Sequence, residues 1–177
     1  QQWRRGNHQS PELGRKLYEL KNFGIHGPEE VDAVGANAKM NEFQAAMGLC
    51  NLHHLDQEID RRRLVVERYL SGLAGVPGIR LPSFREGLTP NYAYFPVLFE
   101  DFKADRDQVY DCLAGHRIYP RKYFYPLIND FQCYKGRFSS KDTPVAAYVA
   151  DRVLTLPCYA DLELEDVDRI CGIIRGM

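Results

Sequence analysis

The 177-residue chain has no long apolar run and no excess of one charge. Its 23 Lys and Arg residues nearly balance 24 Asp and Glu residues, and the formal net charge is −1, so the overall charge does not attract nucleic acid or an anionic membrane. No apolar segment approaches the length that spans a bilayer, and the first ten residues lack the apolar core of a signal peptide. We therefore expect a cytoplasmic protein without nucleic-acid or membrane partners.

The sequence also lacks the cysteine spacings and the motifs that mark a self-contained active site. The five cysteines are odd in number and none forms a CxxC pair, which argues against a disulfide framework and a zinc site. There is no recognisable nucleophile and base, no motif of paired carboxylates and no glycine-rich phosphate loop. We therefore assign no catalytic residue and no metal ligand to this chain.

The most informative stretch is residues 35–49, GANAKMNEFQAAMGL. Its first four residues are small and polar and suit a turn, whereas apolar residues from Met40 onward recur at helical spacing. Asn37 and Asn41 both precede good helix formers, so either could cap the helix. A helix start also suits a bound phosphate. Two interpretations of Asn37 follow, a turn residue or a phosphate ligand.

Two helical regions are predicted in the first part of the chain. The sequence Ser-Pro-Glu at Ser10 is a typical helix start, and Gly24 can close that helix. A long helical region is predicted over residues 40–73, with a bend near residues 51–54 and a largely buried first part. Residues before Ser10 lack a pattern, and we expect them to fray.

After Gly75 the pattern changes to short strands that alternate with helices. Pro96 lies within the strongest strand candidate, which argues for an edge strand or a bulge. The predicted class is α/β (α+β), a long bent helix leading into a small α/β sandwich with a mainly antiparallel sheet. The predicted strands are residues 79–81, 92–99, 118–122 and 153–156, and the predicted helices are residues 105–115, 143–151 (capped by Thr143) and about 165 onward (weakly capped by Glu163).

Residues 121–126, RKYFYP, place two cations beside three aromatic rings. The cations suit a pyrophosphate, and the rings can pack on a sugar or a base. The competing interpretation is a sheet edge whose aromatic side chains fill the core, which is also how we interpret Tyr92 and Tyr94. The candidate substrate-binding residues are Arg121, Tyr123, Tyr125 and Lys122, with Arg121 and Tyr123 as the first choices.

Several collinear motifs carry a resemblance to a known family. They are Lys21-Asn22-Phe23-Gly24-Ile25, Gly35-x-Asn37-x-Lys39-Met40, Gln44-Ala45-Ala46-x-Gly48-Leu49, Tyr94-Phe95-Pro96-Val97, Tyr123-Phe124-Tyr125-Pro126-Leu127 and Leu154-x-Leu156-Pro157. In this order they resemble the DegT/DnrJ/EryC1/StrS family of sugar-nucleotide aminotransferases, which have fold type I and depend on pyridoxal 5′-phosphate (PLP). The match extends from about Leu13 to about Ile174.

The resemblance implies a division of the chain and roles for its candidate residues. Residues 1–38 would be the last part of the large PLP-binding domain, residues 39–74 connecting helices and residues 75–177 the small C-terminal α/β domain. The matching Asn of relatives binds the PLP phosphate of the other subunit, which implies that Asn37 is a cofactor ligand in a homodimer. The segment at Arg121 would line the sugar-nucleotide pocket.

The implied function is amino transfer through PLP, with glutamate as donor, to a nucleotide-linked keto-sugar such as a dTDP-4-keto-6-deoxy sugar. No lysine here matches the family's Schiff-base lysine, so the chain is expected to be the C-terminal part of a longer enzyme and inactive alone. Two alternatives stay open. Some relatives replace that lysine with histidine and catalyse a PLP-dependent dehydration, and the chain could instead be a non-catalytic partner module that completes a site in trans or pairs with itself.

Overall fold

The computed structural model describes residues 10–134 and 136–177; the expectation that the chain frays before Ser10 lies outside these ranges. The chain divides into two compact units, Gln1–His53 and His54–Met177, and each is described by itself. In chain order the described helices and strands are α1 (Pro11–Lys21), α2 (Glu42–Gly72), β1 (Ile79–Arg80), β2 (Phe95–Phe99), α3 (Arg106–Gly115), α4 (Pro144–Ala150), β3 (Val153–Leu156) and α5 (Leu164–Gly176). Among the described residues, 3-10 turns lie at Ile128–Asp130, Gln132–Tyr134 and Ser140–Asp142.

Helix α1 begins where the sequence predicts. The Ser10 hydroxyl accepts a hydrogen bond from the Leu13 amide at 3.3 Å, which satisfies one of the free donors of the first turn. The helix ends before Gly24, whose φ of 79° lies in the left-handed region and whose amide donates to the Glu19 carbonyl at 2.8 Å. No side chain of α1 is buried. The first unit therefore leaves the apolar stripe of this helix exposed.

Helix α2 begins at Glu42 and is capped by Asn41. The Asn41 side-chain oxygen accepts from the Gln44 amide at 2.9 Å, and the Gln44 side chain accepts from the Asn41 amide at 3.1 Å. This reciprocal pair is a capping box, which decides between the two predicted caps. The helix is continuous to Gly72, without interruption at residues 51–54 where the sequence predicts a bend.

The predicted burial of the first part of α2 is wrong for this chain. Phe43 is 88% exposed, and Met47, Leu49 and Leu52 are also exposed. Phe43, Met47 and Cys50 recur at the spacing of one helix face, and Cys50 is exposed as well; the described residues supply no surface that covers this face. A contiguous apolar face of this kind is typical of an interaction site.

The second unit contains an antiparallel sheet in the order β1-β2-β3. Phe95 pairs with Leu156 and Val97 with Leu154, while β1 pairs only with the end of β2. Along β2, Phe95, Val97 and Phe99 are buried and alternate with less buried residues. This arrangement confirms the predicted α/β class with an antiparallel sheet.

Pro96 lies in the central strand, but its lack of an amide proton removes no hydrogen bond from the sheet. It is opposite Thr155, but the Thr155 amide and carbonyl bond the backbone of Arg121 at 2.8 and 3.0 Å on the other side of β3. The Pro96 nitrogen therefore faces the β1 side, where β1 pairs only with Leu98 and Phe99. The strand is an edge at this one residue, which is why proline is tolerated there.

The predicted strand at residues 118–122 is wrong. Only Arg121 pairs with the sheet, as an isolated bridge to Thr155. Pro120 has no amide proton and cannot extend regular pairing. This single bridge nonetheless fixes the backbone of Arg121 against β3.

Helix starts in the second unit differ in their caps. Asp105 and Gln108 form a capping box at the start of α3. Thr143 precedes α4 as predicted, but its hydroxyl bonds the Ser140 carbonyl at 3.4 Å and does not cap the helix. Glu163 precedes α5 and provides no side-chain cap, in agreement with its weak capping tendency.

One hydrophobic core joins the sheet to three helices. The Tyr69 ring of α2 stacks on Phe95 with centroids 4.9 Å apart. The other buried core residues include Val65, Val66 and Leu73 of α2, Val109 and Leu113 of α3, and Val167, Ile170, Cys171 and Ile174 of α5. Because the helices and the sheet share this core, the residues after β3 and those after α3 lie in fixed positions on the surface.

Candidate functional site

The chain after α3 crosses the edge of β3 and borders an open cleft of about 260 Å³. The cleft lies wholly in the second unit. Its lining includes four tyrosines, one arginine and one cysteine: Tyr94, Tyr119, Tyr123, Tyr159, Arg121 and Cys158. A cation among aromatic rings and hydroxyls can bind a ligand that is both anionic and planar.

Arg121 and Tyr123 are brought together at this cleft. The Arg121 Nη1 donates to the Tyr123 hydroxyl at 2.9 Å, and the Tyr94 ring meets the Tyr123 ring edge-on at 5.5 Å between centroids. The bridge to Thr155 holds the Arg121 backbone. Because an arginine carries five N–H donors, Arg121 keeps donors for an anion after this bond. The Tyr123 hydroxyl accepts from Arg121, so its own proton remains available to a ligand.

Tyrosine rings form the exposed walls of the cleft. Tyr119 is 66% exposed, and Tyr94 and Tyr159 are also more than half exposed. The expectation that Tyr94 fills the core is wrong, because Phe95 faces the core and successive residues of a strand point to opposite faces. Tyr92 packs against the core, as expected. Strand parity applied to the run before Pro96 could have identified Tyr94, whereas no local signal marks Tyr119 or Tyr159.

Lys122 and Tyr125 have partners outside the cleft lining. The Lys122 ammonium lies 2.6 Å from Asp107 Oδ1 and 4.8 Å from the Tyr110 ring centroid. The Tyr125 ring lies 4.6 Å from the guanidinium carbon of Arg106. The hydrogen bond from Lys122, followed by the interaction with Arg106, holds the pKa of the Asp107 carboxyl below its usual value. The four sequence candidates therefore fall into two pairs with different surroundings.

Cys158 lines the cleft as a protonated thiol. Burial raises the pKa of Cys158 to about 11, and its sulfur donates to the Tyr92 carbonyl at 3.4 Å. The thiolate is the nucleophilic form of cysteine. At neutral pH this side chain is therefore a small apolar wall of the cleft rather than a nucleophile.

Asn37 lies in the first unit, where it is exposed and forms an isolated backbone bridge with Asn22. The neighbouring amides are already used: Ala36 donates to the Leu20 carbonyl at 2.8 Å and Ala38 to the Lys21 carbonyl at 3.0 Å. The start of α2 is filled by its own capping box. A phosphate at Asn37 would therefore be held by the side-chain amide, which makes no hydrogen bond to any described residue.

In the described part of the chain, no group of three or more His, Cys, Asp or Glu residues could hold a metal ion. Among the helices described, none combines the length and the apolar character that crossing a bilayer requires.

The sequence matches the model of the DegT/DnrJ/EryC1/StrS aminotransferase family over residues 8–175. The chain belongs to this family. It is 42% identical over 172 residues to the dTDP-4-amino-4,6-dideoxy-D-glucose transaminase of Escherichia coli, covering 94% of this chain and 46% of the relative. It is 35% identical to the protein of the same name from Shigella dysenteriae, with the same coverage.

Solved structures show the same relationship. The crystal structure of DesV from Streptomyces venezuelae superposes with a TM-score of 0.84 at 31% identity, covering 94% of this chain and 44% of DesV. The chain thus spans slightly less than half the length of the relatives it matches. These relatives give no support to the dehydratase alternative.

Proposed function

We propose that the whole protein is a PLP-dependent aminotransferase that acts on a nucleotide-linked deoxysugar, and that this chain supplies the substrate cleft. A dTDP-linked 4-keto-6-deoxy sugar is the favoured substrate, because the E. coli relative is a dTDP-4-amino-4,6-dideoxy-D-glucose transaminase. Glutamate is the amino donor that we propose with it. The observation that carries the proposal is the Arg121–Tyr123 pair in a cleft walled by tyrosines.

The cleft residues have separate roles in this proposal. The free donors of Arg121 hold the diphosphate, since guanidinium groups pair with phosphate oxygens in a fork. The Tyr123 hydroxyl donates its proton to the same ligand, and the exposed rings of Tyr94, Tyr119 and Tyr159 pack on the base and the sugar. The Cys158 side chain excludes water from the cleft wall.

The cofactor role proposed for Asn37 is limited to its side chain. When bound, PLP supplies the chemistry that carries an amino group between donor and sugar. The exposed amide of Asn37 would donate to the PLP phosphate of a second subunit. Its flanking backbone amides cannot take part, because they bond the C-terminal carbonyls of α1.

We propose that a homodimer covers the exposed apolar face of α2. Phe43 and Met47 are exposed apolar side chains about one helical turn apart, and contiguous apolar faces mark association sites. We keep the proposed division of the chain into a large-domain part (1–38), connecting helices (39–74) and a small domain (75–177). A cytoplasmic location likewise stays a prediction.

Binding of dTDP to the 177-residue chain tests the proposed cleft. Calorimetric titration is expected to show that Arg121→Met weakens binding by roughly tenfold or more, since a hydrogen bond to a charged group contributes about 1.5–3 kcal/mol. The matched control is Arg85→Met, because Arg85 is exposed and does not line the cleft. Equal affinities of wild type and Arg121→Met, or no binding by wild type, would contradict the proposal.

A further inference from the structure

Arg106 is a buried charge at the first position of α3. It is 4% exposed, although removing a guanidinium from water costs several kcal/mol unless it is well paired. Its Nη1 donates to the Ala150 carbonyl at the end of α4, at 2.8 Å. Its guanidinium carbon lies over the Tyr125 ring at 4.6 Å. These contacts place one buried cation beneath the segment that carries the candidate site.

Asp107 joins this cation to the same segment from the next position of the helix. Its Oδ1 is 2.6 Å from Arg106 Nε and 2.6 Å from Lys122 Nζ. The Arg106 Nε makes no hydrogen bond to any described residue, so its contact with Asp107 is an ion pair. The capping box of Asp105 and Gln108 fixes the first turn of α3. The side chains of Arg106 and Asp107 therefore extend from a helix turn that is held in place.

The anchors lie on both sides of Tyr123 in the sequence. Lys122 is held by Asp107, Tyr125 lies on Arg106, and the Arg121 backbone is bridged to Thr155. Between these anchors, Tyr123 is the residue whose hydroxyl bonds the Arg121 side chain. An irregular segment has no helix or ladder to hold it, and three outside contacts replace that support.

We propose that Arg106 and Asp107 are positioning residues that hold residues 121–125 in place, so that Arg121 and Tyr123 face the cleft. They contact no ligand themselves. Lys122 and Tyr125 are anchors of the segment and do not bind substrate. That the cleft binds substrate rests on the proposed function, whereas the anchoring of residues 121–125 can be measured without any ligand.

Amide hydrogen exchange of the 177-residue chain, followed by NMR, tests the anchoring directly. Asp107→Asn is expected to speed exchange of the Arg121 amide by about tenfold, because local opening of the segment exposes that amide. The Val97 amide, in the core of the sheet, is the internal control, because its exchange would speed up if the whole unit lost stability. We expect its exchange to stay unchanged. Asp107→Glu keeps the carboxylate and should restore most of the protection.

Two further variants make the result specific. Arg106→Lys keeps the charge but loses the planar fork and should act like Asp107→Asn. Asp111→Asn removes an exposed carboxylate from the same helix and should change nothing. If Arg106→Lys fails to fold, the Asp107 variants still decide the question. If the Arg121 amide of Asp107→Asn exchanges at the wild-type rate, the proposal is overturned.

A dTDP titration separates this proposal from the proposed function. Asp107→Asn is expected to weaken dTDP binding about fivefold or more, and to have no added effect in an Arg121→Met background. Absence of dTDP binding by wild type, together with faster Arg121 exchange in Asp107→Asn, would reject the proposed function and support the anchoring. Normal dTDP binding and normal exchange in Asp107→Asn would reject the anchoring and leave the proposed function standing.

Discussion

At the scale of single residues, the side chains of residues 121–125 have two different surroundings. Arg121 and Tyr123 meet at the cleft, whereas Lys122 and Tyr125 lie against α3. Residues 121–125 do not form a regular strand, so the alternation that assigns faces in a sheet does not apply to them. Asp107 could not be foreseen either, because its partner is fifteen positions away and no helical spacing relates the two.

The Tyr69 hydroxyl is a buried polar group that lowers the stability of the fold, which the sequence alone does not show. The side chain is completely buried, its oxygen makes no hydrogen bond to any described residue, and burial raises its pKa. The ring stacks on Phe95, so the apolar part of the side chain is stabilising while the hydroxyl is not.

Tyr69→Phe is therefore expected to raise the free energy of unfolding by about 1 kcal/mol, since it removes an unsatisfied polar atom and keeps the ring. Urea denaturation of the two proteins measures the difference. Tyr69→Leu, which also loses the stacked ring, is the control and should be destabilising. A loss of stability in Tyr69→Phe would show that the hydroxyl has a partner.

At the scale of secondary structure, local signals predicted the helix starts better than the strands. Ser10 caps α1 as its sequence context indicates, and α3 occupies residues 106–115 where a helix over 105–115 is predicted. The strand predicted over residues 118–122 reduces to one bridge, because sheet pairing depends on partners that are distant in sequence and Pro120 removes a donor. The wrong element is thus the one whose formation depends on tertiary contacts.

Two helices of the second unit are joined by a forked ion pair. Arg68 of α2 donates to both carboxylate oxygens of Asp168 in α5, at 2.6 and 2.5 Å. These hydrogen bonds hold the pKa of Asp168 below its usual value. A lowered pKa in the folded state means that the pair stabilises the fold above the unfolded pKa of about 3.9, and that this contribution is lost as the pH falls through the folded value.

Asp168→Asn is accordingly expected to lower stability at pH 7 and to flatten its acid dependence between about pH 5 and pH 2. Urea midpoints across this range measure the effect. Asp111→Asn serves as the control, because Asp111 is exposed and forms no ion pair with the described residues. Parallel acid curves for wild type and Asp168→Asn would contradict the assignment.

At the scale of the whole molecule, the sequence marks an apolar face on the first part of α2 but does not show which surface covers that face. The helical spacing around Phe43 indicated burial, yet these side chains are exposed. Periodicity shows which face of a helix avoids water and cannot show which surface covers it. The family assignment rested on collinear motifs along nearly the whole chain, and the match over residues 8–175 confirms it.

Our proposal that this chain supplies the substrate cleft of the whole protein also predicts how the chain reacts with PLP. Because we expect no lysine of this chain to correspond to the Schiff-base lysine of the family, incubation with PLP and borohydride should give no stoichiometric adduct at any one lysine. Mass spectrometry of the digested chain measures this. Scattered substoichiometric labelling is the expected background, and full labelling of a single lysine would contradict the proposal.

The most direct test of the central claim is to map where a nucleotide binds. In a ¹⁵N-labelled sample of the chain, titration with dTDP is expected to shift the amide signals around Tyr94, Arg121, Tyr123 and Tyr159, and to leave those of α1 unchanged. Shifts confined to the cleft would support our account of a substrate site organised by Arg121 and Tyr123. Saturable shifts elsewhere, or none at any concentration, would contradict it.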